Sequence, residues 1–172
     1  INHNLDEMAQ ILSDFNPRVV VDFMGQGMVA ESWCHPDQWY TTNVLSKVRL
    51  HEFLRELGGL ERYIRISTPE VYGSTDVPVS ENWNFNPSTP YAVSHAAIDM
   101  NLRAYNQRYG FPVIFARFAN FYGPGQQLYR IVPRTIINGL TGKKLLLHGG
   151  GAAVRAFIFA TDIADGVVRL IT

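Results

Sequence analysis

The sequence predicts an α/β fold built on a mainly parallel sheet, and three observations carry that expectation. Short runs rich in valine and isoleucine alternate with longer stretches of helical periodicity. Strand followed by helix followed by strand is the signature of βαβ units. No internal repeat, low-complexity tract or linker interrupts the alternation, so residues 1–172 read as one domain.

The elements follow in order. Leu5, Met8, Ile11 and Leu12 recur at helical spacing, and Asn16-Pro17 closes that helix. Arg18–Met24 reads as a buried strand, followed by a loop that runs from Gly25 and Gly27 through Cys34-His35-Pro36-Asp37. Thr42–Leu57 has the pattern of a long helix ending at Gly58-Gly59, and Tyr63–Ser67 is a second strand. The polar, proline-containing stretch Ser74–Thr89 belongs on the surface. Thr89 is an N-cap with Pro90 at the first helical position, and the helix it opens runs to Tyr109 and stops at Gly110. Val113–Phe118 is a third strand. Leu128–Asn138 reads as helix, Lys144–Leu147 and Phe157–Phe159 as short strands, and a last helix begins near Thr161.

Composition excludes several classes. The chain is 47% apolar with 15 basic and 15 acidic residues, too apolar and too neutral for disorder. It has no basic stripe, so no nucleic-acid partner is expected. No apolar run approaches the roughly 18 residues of a membrane span, and no membrane association is expected. No secretory signal pattern follows Ile1. One cysteine, Cys34, makes no internal disulfide, which suits a reducing, cytoplasmic compartment. His3, His35, His51, His95 and His148 lack metal-ligand spacing, so no metal is expected.

Gly25-Gln26-Gly27-Met28-Val29-Ala30 matches the spacing of a dinucleotide fingerprint. Trp33 to Pro36 argue against the helix that a phosphate loop must open, and no acidic residue stands about 20 positions on. A turn at a strand's carboxyl end, along which a cofactor can pass, is the better reading. Gly149-Gly150-Gly151 reads either as a phosphate nest or as an ordinary turn.

Tyr91 and His95 lie four apart near a helix start and share one face. Upstream, Ser67-Thr68-Pro69-Glu70 brings a hydroxyl and a carboxylate to the end of a strand. Spacing leaves two readings open. The group is a proton-transfer site, or the stripe Tyr91, His95, Ile98, Leu102 and Tyr105 is a packing face.

The order Ser-Thr-x-Glu-Val-Tyr-Gly from Ser67, Ser-Thr-Pro-Tyr-x-x-Ser from Ser88, and Arg-Phe-Ala-Asn-Phe-Tyr-Gly-Pro-Gly from Arg117 resembles the extended short-chain dehydrogenase/reductases. Within these the chain is most similar to the NAD-dependent nucleotide-sugar dehydratases and epimerases. Asn43-Val44-Leu45, Pro133, Gly142 and the Gly149–Arg155 segment also fall in family order. The resemblance implies a Rossmann-like, doubly wound sheet. It also implies a chain lacking the family's N-terminal glycine loop and C-terminal sugar-binding region, a central fragment of the domain.

The resemblance further implies NAD as cofactor and a nucleotide-sugar as substrate. Tyr91 stands where the family's catalytic tyrosine takes the sugar C4-hydroxyl proton, and Thr68 where a hydroxyl bonds the same oxygen. Glu70 matches the acid that removes the C5 proton before water leaves C6. Met24, Gly25, Gln26 and Asn43 fall where the family touches the dinucleotide, Asn120 beside the sugar nucleotide, and Arg155 at its diphosphate. A homodimer through Thr42–Leu57 and Pro90–Tyr109 is implied as well.

Two substitutions depart from the pattern. His95 replaces the lysine that holds the nicotinamide ribose and favours the phenolate by its charge. Pro69 replaces an aspartate that acts as general acid. With free values of about 6.5 for histidine and 10 for tyrosine, an imidazolium beside a phenolate is rare near neutral pH. Activity is therefore expected to depend on protonated His95, and His95→Lys is expected to raise turnover. The favoured activity is that of a 4,6-dehydratase. A 4-epimerase is the alternative, and a non-catalytic relative that only binds or assembles is the third reading.

Overall fold

A computed structural model describes residues 4–172, apart from the side chains at 5, 148 and 149. His3 lies outside the described residues. The chain divides into two compact units, Ile1–Arg117 with Leu170–Thr172, and Phe118–Arg169.

In the first unit, helix α1 (Leu5–Phe15) ends at Asn16, whose left-handed backbone lets its N–H bond the Leu12 carbonyl. Strands β1 (Val19–Asp22), β2 (Arg62–Ser67) and β3 (Val113–Arg117) form one parallel sheet in that order. Val20 pairs with Tyr63, and Tyr63 with Val113, so the three expected strands share one sheet. Arg18 and Phe23–Met24 fall outside β1, and Phe118 outside β3.

The crossover from β1 to β2 starts earlier than its periodicity predicts. A 3-10 turn at Glu31–Trp33 and helix α2 (Pro36–Tyr40) occupy the expected loop. Pro36 sits in the first helical turn, where its missing N–H costs nothing. Trp39 is buried and its indole N–H donates to the Gly27 carbonyl at 2.9 Å, which draws the helix start toward the sheet. A π turn, Thr41–Leu45, joins α2 to α3 (Ser46–Leu57).

Helix α4 (Pro90–Tyr109) makes the second crossover. The Thr89 side chain accepts from the Ala92 N–H at 3.1 Å, and Gly110 closes the helix at φ 68°. Leu50, Leu54, Tyr63, Leu102 and Phe111 form the apolar core between helices and sheet, with Met8 and Leu12 packed against it.

The polar stretch before α4 is pinned by aromatic rings. Tyr72 meets Phe85, Phe85 meets Trp83, and Trp83 meets Phe115 at centroid distances of 5.2–5.5 Å. Arg103 lies 4.6 Å over Trp83, and Arg117 lies 5.3–5.5 Å over the rings of Tyr72, Phe85 and Phe115. Gly73 is required here. Its φ is 75°, and a Cβ would stand 2.3 Å from the Asn86 carbonyl oxygen.

In the second unit, β4 (Asn120–Tyr122), which the sequence did not suggest, pairs in parallel with β5 (Phe157–Phe159). Helix α5 (Ile131–Leu140) starts three residues later than predicted. The last helix, α6 (Ala160–Ile171), buries Ile163 and Val167. The strand expected at Lys144–Leu147 is absent. Leu146 and Leu147 are exposed, and an apolar run becomes a strand only where a neighbouring edge takes up its backbone groups.

Candidate functional site

Functional groups gather at the carboxyl end of the first unit's sheet, the end at which parallel α/β sheets place their sites. After β1 the chain turns through Met24-Gly25-Gln26, and Asn43 grips that turn. Its Oδ1 accepts from the Gln26 N–H at 2.7 Å, and its Nδ2 donates to the Gln26 carbonyl at 3.1 Å. The same Nδ2 donates to Ser94 Oγ at 3.0 Å, and that hydroxyl donates to the Tyr91 carbonyl at 2.7 Å. The Tyr91 N–H in turn meets Ser32 Oγ at 3.2 Å. The Met24–Gln26 turn and the start of α4 are thus joined through Asn43, which is fully buried.

Tyr91 and His95 face each other with ring centroids 4.6 Å apart. Thr68 is buried after β2 and its Oγ1 accepts from the Glu70 N–H at 3.3 Å, opening the turn Pro69–Tyr72. That turn, which carries half-buried Glu70, packs against α4. The structure therefore assembles Met24, Gly25, Gln26, Asn43, Thr68, Glu70, Tyr91 and His95 in one unit. Asn120 and Arg155 belong to the second unit. Asn120 opens β4 and is exposed, and Arg155 is exposed with its Nη1 on the Val154 carbonyl at 3.2 Å. Gly149–Gly151 falls in the 3-10 turn His148–Gly151. Among the described residues no cluster of three or more His, Cys, Asp or Glu could hold a metal, and no helix is long and apolar enough to cross a membrane.

Against His95 lies a buried ionic network. Lys47 Nζ donates to both carboxylate oxygens of Asp22, and the Tyr63 hydroxyl donates to Asp22 Oδ2 at 2.8 Å. Asp22 Oδ1 also accepts the Met24 N–H at 3.0 Å, tying the network to the turn after β1. Arg65 reaches Asp22 at 3.6 Å, Asp99 at 3.3 Å and His95 Nδ1 at 2.9 Å. Asp99 takes Ser67 Oγ at 2.5 Å and Arg117 Nη2 at 2.7 Å on its other oxygen. Burial alone would raise the Asp22 carboxyl, but the charges of Lys47 and Arg65 outweigh it and hold the group below the usual range. Burial and the Arg65 charge lower Lys47 to about 8 against the pull of Asp22.

His95 is held further from its charged form than a free histidine. Burial first, then the Arg65 and Lys47 charges, lower it to about 2, which disfavours further an imidazolium already expected to be rare near neutral pH. His51 is likewise neutral, lowered to about 3 by burial, with Nε2 2.9 Å from the Tyr63 hydroxyl.

Sequence reasoning missed Asp22, Lys47, Arg65, Ser67 and Asp99. The signal was present: Arg65 and Ser67 sit two apart inside a strand, on the face of Tyr63, and Asp99 follows His95 by one helical turn. Charges at core-facing positions are buried pairs or functional groups.

A family model described as the NAD dependent epimerase/dehydratase family matches residues 3–172. The chain is 35% identical over 156 residues to a dTDP-glucose 4,6-dehydratase of Mycobacterium tuberculosis, covering 88% of this chain and 46% of that protein. It superposes with TM-score 0.86 and 32% identity on a dTDP-glucose 4,6-dehydratase from Streptomyces venezuelae solved with NAD bound, covering 95% of this chain and 51% of that one. It superposes with TM-score 0.89 and 28% identity on a UDP-glucuronic acid 4-epimerase from Bacillus cereus in complex with UDP-glucuronic acid and NAD, covering 99% and 54%. The chain thus spans about half the length of these relatives. Parallel sheet, tyrosine-bearing helix and family match agree, and the chain belongs to the NAD-dependent epimerase/dehydratase family.

Proposed function

We propose that this chain belongs to an NAD-dependent nucleotide-sugar 4,6-dehydratase and contributes its acid–base groups and the nicotinamide end of its cofactor site. The observation that carries the reading is the junction of the Gln26 turn with Tyr91 through Asn43 and Ser94, beside the Thr68–Glu70 turn. The residues fit the nicotinamide end of a dinucleotide. Gly25 presents an exposed backbone without a Cβ after a strand's carboxyl end, and the backbone of half-buried Tyr91 is linked to the next residue, Gln26, through Ser94 and Asn43. Among the described residues no glycine turn behind β1 opens directly into an α-helix, so the pyrophosphate is not assigned to Gly25–Gly27.

NAD, when bound, would supply a hydride acceptor for oxidation at C4 and a hydride donor for reduction at C6. Tyr91 takes the C4-hydroxyl proton and Thr68 hydrogen-bonds that oxygen. Glu70 removes the C5 proton, and the C6 hydroxyl leaves as water. Pro69 has no proton to give, so the acid for the leaving hydroxyl is another group. Asn120 and Arg155 are the proposed contacts to the sugar nucleotide and its diphosphate. Glu70 directly after Thr68-Pro69 favours dehydration over epimerisation, which needs no second acid–base group.

NMR of the product from a nucleoside diphosphate hexose with NAD⁺ tests the reading. A 4-keto-6-deoxy sugar supports it, inversion at C4 replaces it by the epimerase, and binding of neither ligand in calorimetry leaves the non-catalytic relative. Val93, Ala97 and Met100 form an exposed apolar stripe on α4, and Leu45 is exposed on the preceding crossover, which supports a homodimer through these helices. Light scattering checks it, with a dimer expected. The single Cys34, exposed and unpaired, supports a cytoplasmic location.

A further inference from the structure

The chemistry proposed above makes no use of Arg65, although its guanidinium is fully buried directly beneath His95. A guanidinium has donors only, so where Arg65 Nη2 stands 2.9 Å from His95 Nδ1 the ring nitrogen accepts. The single imidazole proton then lies on Nε2. An imidazolium would set N–H against N–H. Among the described residues the hydrogen bonds of Asp99 run to Arg65, Ser67 and Arg117, and those of Asp22 to Lys47, Tyr63 and the Met24 N–H, so neither carboxylate is directed at His95.

We propose that Arg65 is a positioning residue of the cofactor site. It donates to Nδ1 and locks His95 as the neutral Nε2–H tautomer, so that His95 offers one hydrogen-bond donor rather than a charge beside Tyr91, and the site's fixed positive charge lies on Arg65. His95 and Arg65 together then stand in for one lysine, dividing its two properties between them: His95 supplies the donor that reaches a cofactor hydroxyl, and Arg65 the permanent cation. The consequence for turnover rests on the reading of Tyr91 as the acid–base tyrosine; the tautomer does not.

The arrangement reverses the expectation for His95→Lys. An ammonium at position 95 would face the Arg65 guanidinium, with the Asp99 carboxylate already engaged by Arg65, Ser67 and Arg117. His95→Lys therefore weakens NAD⁺ binding, by about ten-fold or more, instead of improving the enzyme. Arg65→Met in the same chain removes the opposing charge and recovers most of that loss. A merely structural role for Arg65 does not produce this reciprocal rescue.

The deciding measurement is nitrogen-15 NMR of the histidine side chains in the full wild-type chain, with His95 assigned by its loss in His95→Gln. The expected result is an Nε2–H imidazole that does not titrate from about pH 8 to about pH 5, where a free histidine would. Arg65→Gln, which keeps a donor, preserves the tautomer; Arg65→Met releases it. A His95 that carries its proton on Nδ1, or titrates near 6.5, overturns the assignment even if every Arg65 variant fails to fold. Failure of Arg65→Met to rescue His95→Lys in a folded double variant overturns the division of roles. A wild-type chain with the expected tautomer and no affinity for NAD⁺ overturns the functional reading while upholding the Arg65–His95 assignment, so the two failures are distinguishable.

Discussion

The stripe that β2, α3 and α4 turn toward one another changes character along its length. At one end Tyr63, Leu50, Leu54 and Leu102 close an apolar core with Phe111. At the other Asp22, Lys47, Arg65 and Asp99, all buried, replace it with charge. The change takes one helical turn: Lys47 precedes Leu50 by three residues, and Asp99 precedes Leu102 by three. The apolar end gains from area removed from water, which tolerates repacking. The ionic end costs desolvation of every charge and holds only while each partner is present. Apolar packing and buried charge are thus divided along one stripe, with the charged end lying against His95.

Removing one member of the ionic end is the hardest test of that division. Asp99→Ala leaves the buried guanidinium of Arg65 and the half-buried one of Arg117 without their shared carboxylate, and should cost about 4–5 kcal/mol in urea unfolding. A loss below about 1 kcal/mol would mean that solvent reaches the network.

Acid attacks the same end by another route. His51 and His95 are lowered in the folded chain to about 3 and about 2, against about 6.5 unfolded. Between those values the unfolded chain binds protons that the folded chain refuses, so stability falls as pH drops below about 6.5. From pH 7 to pH 5 the two together should cost about 4 kcal/mol, read from denaturant midpoints. The Asp22 carboxyl, held low, adds its own loss only at more acid pH.

The apolar end responds to volume instead. Leu102→Ala should cost about 3 kcal/mol at either pH, and a pH-dependent cost would blur the two ends. The smallest effect belongs to the helix that carries both. Thr89→Ala removes the cap on the Ala92 N–H and should cost about 1 kcal/mol. It also loosens the turn bearing Tyr91, so kcat should fall more than KM rises.

Much of this was legible from the residues. The three parallel strands follow from apolar runs of strand length, and the limits of α4 from Thr89-Pro90 and Gly110, because these signals are local. The start of the first crossover was not legible. Trp39 reaches across to the Gly27 carbonyl, a contact between residues twelve apart that helical periodicity does not encode. Lys144–Leu147 failed for the matching reason, since a strand needs a partner edge that lies elsewhere in the chain.

The sequence by itself determined the α/β class and the order of β1, β2, α4 and β3 through their hydrophobic patterns and helix caps, and the family through the short motifs that carry Thr68, Glu70 and Tyr91. Only the tertiary structure decided the protonation state of His95. A histidine's charge depends on what surrounds it, and Arg65, thirty residues away in sequence, stands 2.9 Å from its Nδ1. Spacing on one helix placed His95 beside Tyr91, but burial and a cation from the neighbouring strand hold it far from its charged form.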